Sequence, residues 1–212
     1  MADAVKRAVD LLGSVLGLLV LAPLVLVIAV VLRYRCGSPV LFRQERAGRG
    51  GVPFTMVKFR TMRAPVTADE PDLARTTPLG AALRTRSLDE LPQLWNVLRG
   101  QMSLVGPRPT LPEQVVRYTP RQAGRLGVRP GLSGWAQVCG RNSLSWPERI
   151  ELDLWYVAHR SLLLDLRIIA RTLLQVARPT GITGAGGRNP GFPHPSPVPL
   201  VSPVPLVSRR VP

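Results

Sequence analysis

Leu11 to Leu32 reads LLGSVLGLLVLAPLVLVIAVVL, 22 consecutive residues without a charge. At about 1.5 Å of rise per residue, a helix of this length crosses a hydrocarbon layer of roughly 30 Å. A cleaved signal peptide is disfavoured, because Arg33, Tyr34 and Arg35 follow where small residues would mark a cleavage site. Pro23, after Ala22, sits at the middle, where proline removes a helical hydrogen bond and kinks or ends the helix. Lys6 and Arg7 precede the stretch, and Arg33, Arg35, Arg43, Arg46 and Arg49 follow it. Positive charge marks the cytoplasmic end of a membrane segment, and here both flanks carry it. Two readings stay open. One is a kinked single span. The other is a re-entrant helix, hinged at Ala22 and Pro23, that enters and leaves by the same face, with Ser14 or a packed neighbour satisfying the freed backbone.

The rest of the chain must account for charge. There are 28 Lys+Arg against 13 Asp+Glu, a formal net charge of +15, yet 45% of residues are hydrophobic. A disordered basic chain is poor in apolar residues. The combination points to a protein that touches both anions and lipid. Two cysteines, Cys36 and Cys139, and two histidines, His159 and His194, exclude a disulfide framework and a His/Cys metal centre.

Residues 36–63 read as short strands and turns, with Pro39–Gln44 alternating weakly and Pro53–Met62 better. Residues 64–78 are polar and proline-punctuated, hence a loop. A helix is expected to start at Asp89 as N-cap, which leaves Pro92 in the tolerant first turn. A capping box from Ser87 to Glu90 is the alternative. Leu91, Leu94, Trp95 and Leu98 then form one stripe, and Gly100 ends the helix. Further helices are expected over 113–124, over Trp146–Tyr156 behind Ser145, and over Ser161–Arg178, an amphipathic segment suited to a core or to a membrane interface. From Pro179 onward nine of 34 residues are proline and SPVPLV occurs twice in tandem, so a disordered tail is expected. The division is thus an anchor over 1–35, a catalytic domain over 36–178 and a tail over 179–212.

Asp89 and Glu90 are adjacent acids in a basic chain. Two acids in a first helical turn are ordinary stabilisers of the helix dipole. Their setting favours chemistry: Lys58, Arg60, Arg84, Arg108, Arg129 and Arg141 lie beside glycine, proline or aromatic residues in strands and stiff loops. Arginines presented in this way suit phosphate. A carboxylate among them can hold Mg²⁺ or attack phosphorus.

Four segments carry a resemblance: KFRTM at 58–62, SLDELPQLWNVLRG at 87–100, MSLVGPRP at 102–109 and RPGLSGWAQV at 129–138. They resemble the bacterial sugar transferases, and more narrowly the small monotopic polyprenyl-phosphate phosphoglycosyl transferases, over about residues 5–178. The resemblance implies an α+β, mostly helical fold: a re-entrant membrane helix broken at Pro23, a small cytoplasmic-face catalytic domain and amphipathic interfacial helices. It implies that Asp89 attacks the β-phosphorus of a UDP-sugar with Mg²⁺ present, with Asp89 as the metal's ligand. UMP leaves, and polyprenyl phosphate takes the phosphosugar from the aspartyl intermediate. Glu90 matches the second acid. Lys58, Arg60, Arg84, Arg108, Arg129, Gln137 and Arg141 are the expected substrate-binding residues. The expected location is the cytoplasmic face of the bacterial inner membrane. Expected partners are the two substrates, the bilayer and downstream glycosyltransferases, with no nucleic acid; a homodimer is one option for an oligomeric state left open. Gln101, Cys139 and His159 depart from the family pattern, and Cys139 is expected to be a packed thiol. A tethered nucleic-acid binder and a catalytically dead scaffold are the competing readings; the first lacks any recognition motif and the second retains an intact acid pair.

Overall fold

The computed structural model describes residues 3–67, 70–140 and 143–177. The tail expected from Pro179 onward therefore lies outside the described residues, as does Arg141. α1 runs from Asp3 to Cys36 and contains Pro23. Helical conformation continues through Ala22 and Pro23, so the chain is not interrupted at the expected break. One stripe of α1 faces the rest of the protein: Asp10, Ser14, Ile28 and Leu32 are buried. Gly13 and Gly17 let neighbours approach; a Cβ at Gly13 would stand 2.7 Å from Leu104 Cδ1. The opposite stripe, including Leu12, Leu16, Leu19, Val20, Leu26 and Val27, is exposed.

β1 (Leu41–Ala47) and β2 (Pro53–Phe59) form an antiparallel hairpin in which Phe42 faces Lys58 and Arg46 faces Phe54. Alternation holds on β2, where Phe54 and Met56 are buried and Lys58 is half-buried beside them. The expected loop after it contains the turn α2 (Asp72–Arg75), then α3 (Pro78–Thr85), whose N-cap Thr77 accepts from the Gly80 N–H. A 3₁₀ turn at Leu88–Glu90 leads into α4 (Gln93–Leu98), β3 (Ser103–Val105), the single turns α5 (Pro112–Val115) and α6 (Pro120–Ala123), β4 (Gly131–Ser133) and α7 (Trp135–Cys139). The helix expected over 113–124 is thus split, because Thr119 caps a new start at Pro120. α8 (Trp146–His159) opens with the expected Ser145, in a capping box with Glu148. α9 (Leu162–Ala177) closes the described chain.

β3 and β4 pair in parallel, Ser103 with Gly131 and Val105 with Ser133. The approach is so close that a Cβ at Gly131 would lie 2.1 Å from the Gly106 nitrogen, so only glycine fits there. Val105, Val138, Tyr156, Leu164 and Ile168 form one apolar cluster; Ile28, Leu32, Phe59 and Leu83 form a second. A buried polar network fastens α1 between them. Lys6 pairs with Asp165 at 2.7 Å, Tyr156 donates to the same carboxylate at 2.7 Å, and Asp10 accepts from the Ser103 hydroxyl and the Leu104 N–H. Cys139 is exposed, which corrects the packed-thiol expectation: Ala136 and Val138 take the inward side of α7. His159 stacks on Trp155, with ring centroids 4.5 Å apart.

Candidate active site

The acid pair does not start a helix in the expected way. Asp89 lies inside the 3₁₀ turn, and Ser87 before it adopts a left-handed conformation at φ 55° with no side-chain cap. Neither an Asp89 N-cap nor a Ser87–Glu90 capping box forms. Pro92 has no N–H for the Leu88 carbonyl, so the stretch begins with short bonds instead, Glu90 N–H to Ser87 and Leu91 N–H to Leu88. Among the described residues Ser87 is the one non-glycine with positive φ. Strained backbone of this kind persists where its surroundings hold it, often at functional sites. Leu88 and Leu91 supply the hold, packing against the Ile28, Leu32, Phe59 and Leu83 cluster on either side of the acids. Gly100 ends the following helix as expected, at φ 77°.

Asp89 is 5% exposed, and its carboxylate has no hydrogen-bond partner among the described residues. Burial, and then the neighbouring Glu90 charge, push its pKa up to about 6; Lys58, Arg108 and Arg84 pull the other way. Glu90 takes a fork from Arg108, at 2.6 and 3.4 Å, and its charge raises the Arg108 pKa further. The Lys58 pKa is lowered, first by burial and then by Arg108. Its ammonium lies 5.3 Å from the Phe42 ring centroid. Arg84 is steadied by Thr76 Oγ1 at 3.3 Å and Met62 Sδ at 3.6 Å.

Each cation comes from a different element: Lys58 from β2, Arg84 from α3, Arg108 from the loop after β3. That loop is itself clamped. Arg125, ion-paired to Asp153 in the interior, donates to the Arg108 carbonyl at 3.0 Å. Ala47 N–H bonds the Thr110 carbonyl at 2.9 Å.

The remaining expected site residues go elsewhere. Arg60 donates to the carbonyls of Cys36, Gly37 and Ser38, capping the C-terminus of α1. Arg129 donates to the Gly100 carbonyl at 3.0 Å and lines a separate cleft with Lys6, Asp10 and Arg160. Gln137 donates to the Leu132 carbonyl at 3.1 Å, and its Oε1 is buried without a partner among the described residues. These three are not brought to the acids.

Arg46 is the cation that sequence reasoning placed only in the basic flank. Its pKa is lowered to about 10, first by burial and then by Arg108, while Glu113 and Glu90 oppose the shift. It bonds Gln44 Oε1 at 2.6 Å and the Pro109 carbonyl at 3.4 Å. The signal was the length of β1. Alternation weakens after Gln44, whereas the ladder runs on to Ala47 and puts Arg46 in register opposite Phe54.

A buried Asp89 beside a half-buried Glu90 at a strained turn, with guanidinium and ammonium groups on rigid elements around them, is an arrangement suited to phosphate-bearing substrates. The model of the bacterial sugar transferase family matches residues 1–179, and the chain belongs to that family. The resemblance read from the four motifs is borne out, and the protein is a transferase. The uncharacterized sugar transferase EpsL of Bacillus subtilis (strain 168) is 45% identical over 185 residues, covering 84% of this chain and 89% of its own. A UDP-glucose:undecaprenyl-phosphate glucose-1-phosphate transferase of Caulobacter vibrioides is 43% identical over 186 residues, 81% of this chain and 69% of its own. A UDP-N-acetylgalactosamine-undecaprenyl-phosphate N-acetylgalactosaminephosphotransferase of Aeromonas hydrophila is 37% identical, and the match spans 87% of this chain but 45% of that one.

Proposed function

We propose that the protein transfers a phosphosugar from a UDP-sugar to polyprenyl phosphate and releases UMP, by way of a phosphosugar–aspartyl intermediate. The observation that carries the reading is the Asp89 carboxylate: buried, without a hydrogen-bond partner among the described residues, and within electrostatic reach of Lys58, Arg84 and Arg108. A carboxylate that only capped a helix would be hydrogen-bonded to backbone N–H groups. The names of the relatives from Caulobacter and Aeromonas support the same reaction class.

Asp89 Oδ attacks the β-phosphorus. The bond from that phosphorus to the oxygen bridging to the α-phosphate breaks, and UMP leaves with the electron pair. A phosphate oxygen of the lipid then attacks the same phosphorus, and Asp89 leaves as carboxylate. Lys58, Arg84 and Arg108 offset the charge that builds on the phosphoryl oxygens. Glu90 anchors Arg108 through its fork and, by its own charge, keeps Asp89 from being stabilised too well as an anion. A pKa of about 6 leaves Asp89 largely ionised at pH 7 while keeping it basic enough to attack. The Asp89 carboxylate, which has no hydrogen-bond partner among the described residues, would hold Mg²⁺ together with substrate phosphates, and the ion would supply further charge neutralisation.

For the membrane, the reading is a re-entrant α1 on the cytoplasmic face, where UDP-sugars are found. Both ends of α1 are tied to one domain: Arg7 donates to the Val97 and Leu98 carbonyls at 2.7 and 2.8 Å, and Arg60 caps Cys36. A spanning helix would have its ends on opposite sides. The exposed apolar stripe of α1, and Leu163, Leu166, Leu173 and Leu174 on α9, provide the lipid-facing surface. The reaction would open the assembly of a cell-surface glycan, with downstream glycosyltransferases acting on the product.

The test is UMP release from a panel of UDP-sugars with polyprenyl phosphate. Mass spectrometry of enzyme mixed with UDP-sugar alone should find a phosphosugar adduct on the peptide containing Asp89. UMP release without any adduct, under conditions that trap acyl phosphates, would eliminate the covalent route.

A further inference from the structure

Asn96 follows Asp89 by seven residues and has no part in the chemistry described so far. It is 1% exposed, and its hydrogen-bonding capacity is used on three partners. Oδ1 accepts from the Val57 N–H at 3.1 Å. Nδ2 donates to the Thr55 carbonyl at 2.7 Å and to Gln101 Oε1 at 2.8 Å. Thr55 and Val57 belong to β2, whose one strand partner among the described residues is β1. The carboxamide therefore completes the open edge of β2 much as another strand would, one residue short of Lys58. Gln101 fixes which way the carboxamide faces. A flipped Asn96 would set its oxygen against two acceptors, Thr55 O and Gln101 Oε1, and its NH₂ against the Val57 N–H. An apolar residue at 96 would fill the space but leave two strand-edge groups unpaired.

We propose that Asn96 is a positioning residue for Lys58, and that Gln101 locks it in place. One continuous stretch, from the acid turn into α4, then carries both the attacking carboxylate and the clamp on the strand whose cation faces it. A lysine on a four-carbon stem is a mobile point charge, and only its strand can set where that charge starts. Displacements of about 1 Å near a reacting group cost up to roughly 100-fold in rate. The proposal rests on the function proposed above.

The chain has two lysines, Lys6 and Lys58. Lys6 is held by Asp165 in the network at the start of α1 and serves as an internal control. Reductive methylation of the full-length protein with ¹³C-formaldehyde gives a separate dimethyl-lysine signal for each. Asn96→Ala is expected to shift or broaden the Lys58 signal and leave that of Lys6 in place. UMP release by the unmethylated variant is expected to fall by about 10- to 100-fold. In a Lys58→Met background the same substitution should cost little more, because the group it positions is already gone. Where Asn96→Ala does not fold, Gln101→Leu removes only the lock and should move the Lys58 signal in the same direction. An unmoved Lys58 signal, equal movement of both signals, or losses that multiply in the double variant would each overturn the proposal. The signals are read without substrate, so a protein that releases UMP from no UDP-sugar sinks the function and not the clamp.

Discussion

Asp89→Asn separates a catalytic carboxylate from a structural one by moving activity and stability in opposite directions. In the fold the Asp89 pKa rises from 3.8 to about 6, with burial as the first cause. The folded pKa is the higher one, so the cost of ionisation is absent below the unfolded value and fully present above the folded value. Stability is lost as pH rises from about 4 to about 6. At 1.36 kcal/mol per unit, the buried charge costs on the order of 3 kcal/mol at pH 7. Asn removes the charge and keeps the shape, so it recovers part of that cost, less what burying an unpaired amide takes back. For a chain of this size each kcal/mol moves Tm by about 2–4 °C. The detergent-solubilised variant should therefore melt at least as high as the parent at pH 7.5, with the advantage gone at pH 4. UMP release should fall by orders of magnitude, because an amide cannot form the acyl phosphate. A variant that melts well below the parent at pH 7.5 would refute the electrostatic reasoning. Turnover above about a tenth of the parent's, a loss under ~1.4 kcal/mol, would end the nucleophile assignment.

Glu90→Gln removes the second-largest cause that raises the Asp89 pKa, so the acid limb of adduct formation should move below pH 6; a limb that stays or rises would contradict the coupling. Single cysteines near Ala4 and near Ser38, in a chain lacking Cys36 and Cys139, should label from the same side of the membrane in intact cells, and opposite-side labelling would restore a spanning helix. Truncation after Gly187 should leave activity and membrane association unchanged in membrane fractions. Asp165→Ala strips both Lys6 and Tyr156 of their partner in a buried network and should cost about 3–5 kcal/mol in denaturant melts, far more than an exposed pair.

The chain's own pattern determined its long-range plan. A stretch of 22 uncharged residues specifies a lipid-seeking helix whatever surrounds it, and α8 and α9 follow from a serine cap and from 3.6-residue periodicity, both local effects. Period-two alternation exposed β2, and with it the inward side of Lys58. The acid pair was legible from its motif, as was Arg108. What local pattern could not decide was where side chains far apart in the chain would meet. Arg60, Arg84, Arg108 and Arg129 look equivalent as basic residues in stiff settings, yet packing sends two of them to backbone carbonyls and two to the acids. Arg46 joins them only because β1 runs on to Ala47 beside β2. The acid turn itself differs from an ordinary helix start because Pro92 forbids one hydrogen bond and the partly buried leucines on either side pack against the Ile28, Leu32, Phe59 and Leu83 cluster. Burial of Asp89, and the chemistry that follows from its raised pKa, come from that packing of α1, β2 and α3 around three residues; propensity sums over neighbours in sequence, whereas desolvation and charge act between neighbours in space.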